Sequence, residues 1–364
     1  MKEGWEYKRF EDTLEKVKYT KKLQTNEFLS EGRVPIISQE EDYISGFWNN
    51  PDDAYKVEKP IVIFGDHSRV IKYVDFDFVL GADGVKILKP IESLNAKFLY
   101  HYLKWYNVPN MGYSRHYKFL KEINMPVPPL KEQQQIVSEL DLLSGVIEKQ
   151  KAQLEELDKL AQSIFYDMFG KKDWESKKIK DIAIVKIGPF GSALHQHDYI
   201  SGGTPLVNPI HMKDGRIEAD SNFTISDEKK KELSSYMLKI HDIVFGRRGD
   251  IGRCALVTQK ENGFLCGTGS LFVRFTININ PLYSLKILSS SSVKQYLLEN
   301  ARGATMLNLN SSVIEGISIP LPPLSLQQEF AAKVEAIEAM KAKVRQSLKE
   351  AETLFNSRMD YYFN

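Results

Sequence analysis

The feature that most constrains this chain is that it repeats itself. The stretch Ile123-Asn-Met-Pro-Val-Pro-Pro-Leu-Lys-Glu-Gln-Gln-Gln-Ile136 returns as Ile317-Ser-Ile-Pro-Leu-Pro-Pro-Leu-Ser-Leu-Gln-Gln-Glu-Phe330, so Pro320 stands 194 residues after Pro126. Three prolines, a leucine and a Gln-Gln pair coincide, and a helical pattern follows each copy. Weaker echoes keep the same order upstream: Trp5-Glu6 with Trp174-Glu175, Ile63-Phe64-Gly65 with Val244-Phe245-Gly246, and Leu80-Gly81 with Cys266-Gly267. The offset grows along the chain, as loop insertions in the second copy would make it. A duplicated unit fixes architecture more firmly than any local propensity. It divides the chain into a globular half (1–130), a long helix (131–170), a second globular half (171–324) and a second long helix (325–364).

A length of 364 residues suits about two domains, and 42 % hydrophobic with 27 % charged residues is the composition of an ordinary globular chain. No run approaches the ~20 apolar residues of a membrane span, and the start lacks the apolar stretch of a signal peptide. A cytoplasmic protein is expected. Cys254 and Cys266 are too few for a disulfide framework and too far apart for a metal-binding pair. With 49 basic against 48 acidic residues the chain is no uniformly basic coat, so any contact with nucleic acid must come from local clusters.

The globular halves read as α/β (α+β) with short strands. Ile61–Phe64, Tyr73–Leu80 and Val85–Leu88 carry β-branched and alternating character, matched later by Asp242–Phe245, Cys254–Val257 and Leu271–Phe275. Short helices are predicted over Ala96–Tyr106 and Pro281–Ser289. The segments after the proline-rich turns differ. Leu140, Leu143, Ile147, Gln150, Leu154, Leu157, Ala161, Ile164 and Met168 recur at alternating steps of three and four, as do Val334, Ile337, Lys341, Val344, Leu348, Ala351 and Phe355. Each is the stripe of a coiled coil, and two such stripes in a duplicated chain predict an antiparallel pair.

On these residues the chain resembles the specificity subunits of type I restriction-modification systems. The likeness rests on the two proline-rich turns with their helices, on Lys186-Ile-Gly-Pro-Phe-Gly-Ser-Ala-Leu194, on Gly246-Arg-Arg-Gly-Asp-Ile-Gly252, and on Gly303-Ala-Thr305 leading to Leu309. It covers nearly the whole chain. The first half is more divergent, with Asp66-His67-Ser68 where the second has Arg247-Arg248. The resemblance implies two target recognition domains separated by the helices, and a bipartite duplex target. It also implies two methyltransferase (modification) subunits, restriction/translocase subunits and N6-adenine methylation. Two readers on a rigid spacer would demand half-sites at a fixed separation.

The residues then suggest where DNA is met. Arg247, Arg248 and Arg253 stand among glycines, a setting in which guanidinium groups reach guanine edges or phosphates. Ser192 and His195 follow the Gly-Pro-Phe-Gly turn, whose N–H groups suit an anion. Asn308 and Asn310 could pair with adenine edges, and Lys213 belongs to a further basic stretch. In the first half the candidates are Lys21, Lys22, His67, Arg69, Tyr113, Arg115, His116 and Lys118, where basic and aromatic side chains interleave. Solvated charge and ordinary turns are the plain alternatives. His195-x-His197 lacks the companions of a metal site.

No methyltransferase tetrad is present, since Asn208-Pro209-Ile210-His211 lacks the second proline and the aromatic, and neither GxGxxG after a strand nor GxxxxGK[ST] occurs. The expectation is a non-catalytic subunit without a cofactor of its own, S-adenosylmethionine, ATP and Mg²⁺ belonging to its partners. A methyltransferase or nuclease with an unseen active site, and a coiled-coil protein scaffold, are the rival readings. Ile136, Leu142, Phe165, Phe330 and Tyr361 are expected to offer apolar docking positions on the helices.

Overall fold

The computed structural model describes residues 4–81, 84–112, 114–248, 251–301 and 308–364, leaving aside the side chain of Ser192. The chain forms two compact units, Met1–Leu154 with Lys343–Asn364 and Glu155–Ala342. Their boundary falls inside both long helices, Leu130–Phe169 and Leu324–Phe363, and not at the helix ends.

In the first unit, strands Ile71–Val74, Ile61–Gly65 and Val85–Leu88 form an antiparallel sheet with Ile61–Gly65 in the middle. A second sheet runs in the order Lys22–Leu23, Val79–Gly81, Val34–Ile37, Gly46–Trp48. The single strand expected over Tyr73–Leu80 is therefore two strands in different sheets. Asp77 breaks it, because its carboxylate accepts the Val57 N–H at 2.9 Å and the Lys56 ammonium at 2.9 Å, fixing a turn between the strands. Helix Ala96–Tyr106 lays Phe98, Leu99, Tyr102 and Leu103 on the first sheet, against Val62 and Phe64. Ile136 and Leu140 from the start of one long helix close this core, with Met359 and Phe363 from the end of the other.

The second unit repeats the plan. Strands Ala183–Ile187, Ser270–Phe275, Ile243–Gly246 and Cys254–Leu256 form an antiparallel sheet in that order. A second sheet holds Tyr199–Ile200, Thr224–Ile225, Thr204–Val207 and Leu265–Cys266. Helix Pro281–Leu288 buries Tyr283, Ile287 and Leu288 in a core that also takes Phe169 and Phe330 from the long helices.

The repeated proline-rich turn does the same work in both units. Asn124–Val127 pairs antiparallel with Glu6–Arg9, and Ser318–Pro320 with Ser176–Lys178. Gln133, fully buried, accepts the Asn95 N–H at 2.7 Å and donates to the carbonyls of Pro128 at 2.7 Å and Ser93 at 2.8 Å. Gln327 accepts the Asn280 N–H at 2.9 Å and donates to Pro322 at 2.8 Å. Asn95 and Asn280 are themselves the N-caps of Ala96–Tyr106 and Pro281–Leu288. The first glutamine of each Gln-Gln pair thus ties a long helix to the cap of a short one. A buried amide is kept because all its polar atoms find partners.

Within each unit the two long helices run antiparallel. In the first, Arg358 binds Glu139, its Nη2 lying 3.0 Å from Oε2, and Gln150 donates to Ser347 Oγ at 2.6 Å. In the second, Phe165 packs on Phe330 and Lys341 meets Asp158 at 2.6 Å. Lys341 interrupts the apolar stripe yet is buried, its ammonium bonded also to Glu338 at 2.9 Å. Burial pushes its pKa down, and the two carboxylates more than reverse this, holding it above the ordinary lysine value. Among the proposed docking positions, Ile136 and Phe330 are buried and Phe165 is packed against the core, so they serve the fold. Leu142 and Tyr361 are exposed, at 72 % and 63 %. Among the described residues, no helix is long and apolar enough to cross a membrane.

Candidate nucleic-acid interface

In the second unit, four strand ends meet at one edge of the main sheet. Antiparallel pairing brings the ends of Ala183–Ile187 and Ile243–Gly246 beside the starts of Ser270–Phe275 and Cys254–Leu256. Backbone bonds lock the segments that leave this edge. Arg247 N–H donates to Gly269 O at 3.0 Å, Leu309 N–H to Arg247 O at 2.9 Å and Gly246 N–H to Arg253 O at 2.8 Å, and Arg248 bridges to Asn308. The structure therefore brings together Arg247, Arg248, Arg253 and Asn308, which lie up to 61 residues apart in sequence.

Their side chains have different uses. Arg248 is exposed. Arg247 is only 7 % exposed, and its Nε–H points at Leu309 O at 3.4 Å. Burial, with Arg248 close by, lowers its pKa. The Arg247 guanidinium thus lies against the 308–310 segment and not on the exposed surface. Arg253 donates to Pro209 O at 3.2 Å. Asn310 is exposed, and the Asn308 Oδ1 is buried without a partner among the described residues.

Lys213 is exposed on the hairpin Met212–Lys213/Arg216–Ile217, whose Gly215 pairs with Ala255 in the outer strand Cys254–Leu256, and is not brought to the strand end that holds Arg247 and Arg248. His195 is exposed at the start of a short turn, with its N–H on Asp198 Oδ2 at 2.7 Å and its ring stacked on His197 at 5.3 Å. Ser192 lies in the turn Gly191–Ala193.

The first unit builds the same edge from different side chains. Asp66 N–H donates to Gly84 O at 2.7 Å and His116 N–H to Asp66 O at 2.7 Å, the same two bonds that hold Arg247. The Asp66 carboxylate adds a bond from Tyr117 N–H at 2.8 Å. His116 is fully buried. Its Nδ1 lies 3.0 Å from Asp66 O and its Nε2 accepts from Met111 N–H at 3.2 Å. Both ring nitrogens are thus committed, and His116 serves as a clip within the loop.

Arg69 likewise turns to the protein, donating to Val108 O at 2.9 Å. Arg115 and Lys118 are exposed, and His67 is half-buried with its N–H on Gln39 Oε1 at 3.1 Å. Lys21 and Lys22 belong to the second sheet's edge. Lys21 sits 3.4 Å from Asp53 and over Trp48, and Lys22 over Tyr19. Tyr113 lies outside the described residues.

Two residues not expected from sequence complete these edges. Asn208 accepts the Gly269 N–H at 3.2 Å and lies so close to Gly267 that a Cβ there would collide with its Oδ1. Gln39 occupies the corresponding place beside Gly84. The available signal was weak: a polar amide just after a short apolar strand, opposite a glycine.

A family model for the type I restriction modification DNA specificity domain matches residues 2–159 and 171–352. The chain belongs to this family. The double match reproduces the internal duplication. The putative type I restriction enzyme MjaX specificity subunit of Methanocaldococcus jannaschii is 28 % identical over 168 residues, 44 % of this chain and 38 % of that protein. The type I restriction enzyme StySPI specificity subunit of Salmonella potsdam is 28 % identical over 149 residues, 38 % of this chain and 32 % of the relative. The matched stretches thus span about a third of these relatives' lengths. The fold is that of the S subunit of a type I restriction-modification system from M. genitalium, with a TM-score of 0.63 at 16 % identity over 99 % of this chain and 96 % of that one. A chain from a type I restriction-modification assembly matches with a TM-score of 0.58 at 15 % identity, covering 99 % and 97 %.

Proposed function

We propose that this chain is the sequence-specific DNA-recognition subunit of a type I restriction-modification complex, each unit reading one half of a split duplex site. The observation that carries the reading is the paired sheet edge. Each unit fixes two loops to one strand end by the same backbone bonds, and basic side chains are exposed there, Arg248 in one unit, Arg115 and Lys118 in the other. Phosphate contacts of this kind position a protein on a duplex, and base-edge contacts supply the specificity.

The chain works without catalysis of its own: N6-adenine methylation and cleavage belong to two methyltransferase subunits and the restriction subunits, which bring S-adenosylmethionine, ATP and Mg²⁺. Leu142 and Tyr361, exposed on the long helices, are apolar positions for such a partner. Among the described residues no group of three or more His, Cys, Asp and Glu side chains is placed to hold a metal ion.

The test is methylome sequencing of a host without other methyltransferases, expressing this chain with and without its methyltransferase partner. A split motif carrying N6-methyladenine only when both are present is expected. Methylation by this chain alone would establish an enzyme instead.

A further inference from the structure

We propose that Gln39 is a specificity-determining residue of the first unit, its Nε2 donating to an acceptor on a base edge of the half-site held there, a role that rests on the recognition function above. Gln39 stands two residues past strand Val34–Ile37, at the strand end that carries Asp66, and it is held from several sides. The His67 N–H donates to its Oε1 at 3.1 Å and the Ser68 hydroxyl to its carbonyl oxygen. Its amide lies against Gly84, where a Cβ would stand 2.5 Å from Oε1 and 3.0 Å from Nε2. Gly84 takes a φ of +99° and bonds Asp66 N–H through its carbonyl. The carboxamide thus fills the room that a side chain at this left-handed position would take. Held so, it loses little freedom when it is used.

A backbone N–H can only donate, so the amide atom that meets His67 N–H is the oxygen, and the free end is the NH₂ group. Among the described residues Nε2 makes no hydrogen bond. Gln133 shows the contrast, a glutamine whose oxygen and nitrogen are both spent inside the fold. A donor fixed in place and left unspent is ready for an acceptor from outside. In the major groove such acceptors are guanine N7 and O6, adenine N7 and thymine O4. The two-bond pairing of a glutamine with adenine needs the oxygen as well, and here that oxygen is turned to His67. The surroundings suit a polyanion. Arg115 and Lys118, both exposed, flank the two residues whose N–H groups bond Asp66 at the same strand end. The acidic run Glu40–Asp42 is drawn to Lys72, whose buried ammonium donates to the carbonyls of Ser38 at 3.0 Å and Asp42 at 2.5 Å.

The test uses the full chain with its methyltransferase partner. Methylome sequencing gives the wild-type split site. Duplexes carrying each of the four base pairs in turn, at every position of the half-site that Arg248→Ala leaves unaffected, are then titrated at one salt concentration. Gln39→Glu keeps the side-chain length and an oxygen for His67 N–H but turns the donor into an acceptor. Gln39→Met keeps the length alone and adds no charge. Gln39→Glu should weaken binding to the wild-type site about tenfold and move the preference at a single position toward cytosine or adenine, whose amino groups donate. Gln39→Met should flatten the preference at that same position. Every other position and the second half-site should read as in the wild type. A sequence preference unchanged in both variants overturns the proposal, whether affinity falls alike on every duplex or not at all, because Gln39 then only supports its loop. A wild-type complex that yields no split motif removes the recognition function itself, and the part of Gln39 with it.

Discussion

Asp66 in the first unit and Arg247 in the second occupy equivalent places at a strand end, each bonded through its N–H to a glycine carbonyl and through its carbonyl to an incoming loop. One side chain is an acid that binds the loop backbone at Tyr117, the other a base that supports Leu309. Opposite charges thus serve one backbone geometry. The lesson is that duplication preserved the scaffold, which depends on main-chain bonds, while the side chains were free to diverge. Two units with different side chains on one scaffold fit the proposal that each reads a different half-site.

The largest effects should come from the parts the two units share. Gln133→Ala leaves Asn95 N–H and two carbonyls without their buried partner, and a loss of about 3 kcal/mol is expected. Gln327→Ala, which breaks two such bonds instead of three, should cost less. Urea unfolding of both variants measures the difference, and equal or negligible losses would break the equivalence of the two turns.

Next come the parts that differ. Arg248→Ala should weaken binding at one half-site by about 1–3 kcal/mol with stability nearly unchanged, whereas Arg247→Ala should lower stability because its side chain is buried. Duplex titrations and thermal melts, run in parallel, separate the two roles. A DNA-binding loss from Arg247→Ala without destabilisation would return that residue to the surface.

The smallest effect is a pH dependence built into both units. His101, buried beside Asp141 in the first, and His211, buried against Phe223 in the second, both have pKa values lowered below 6.5 by burial, the Asp141 bond only partly opposing this for His101. The folded state then binds fewer protons than the unfolded state below about pH 6.5. Stability should be complete above that pH and decline as pH falls toward the folded-state values. Melting temperatures between pH 7.5 and 5.5 should fall, and His101→Gln should reduce the fall. An unchanged slope would remove His101 from the account.

Much of the fold was legible because it rests on local patterns. Helix Ala96–Tyr106 announces itself by Asn95 and its apolar spacing, and the long helices by their stripes. Tyr73–Leu80 misled because alternation cannot reveal that Asp77 is engaged by Val57, 20 residues away. The candidate site was less legible. Arg247 and Arg248 are neighbours of one chemistry, and only the direction in which the strand end turns separates a buried support from an exposed contact. His116 looked like a reader for the same reason, since sequence cannot show that both ring nitrogens are spent on Asp66 and Met111.

The sequence by itself determined the duplication, the long amphipathic helices, the location of the short strands and the family, all of which depend on residue order and periodicity. The tertiary structure alone decided which glutamine of each repeated pair is buried and which basic side chains face outward. Those facts depend on hydrogen bonds and packing between residues far apart in the chain, and direction and burial exist only once the distant partners are in place.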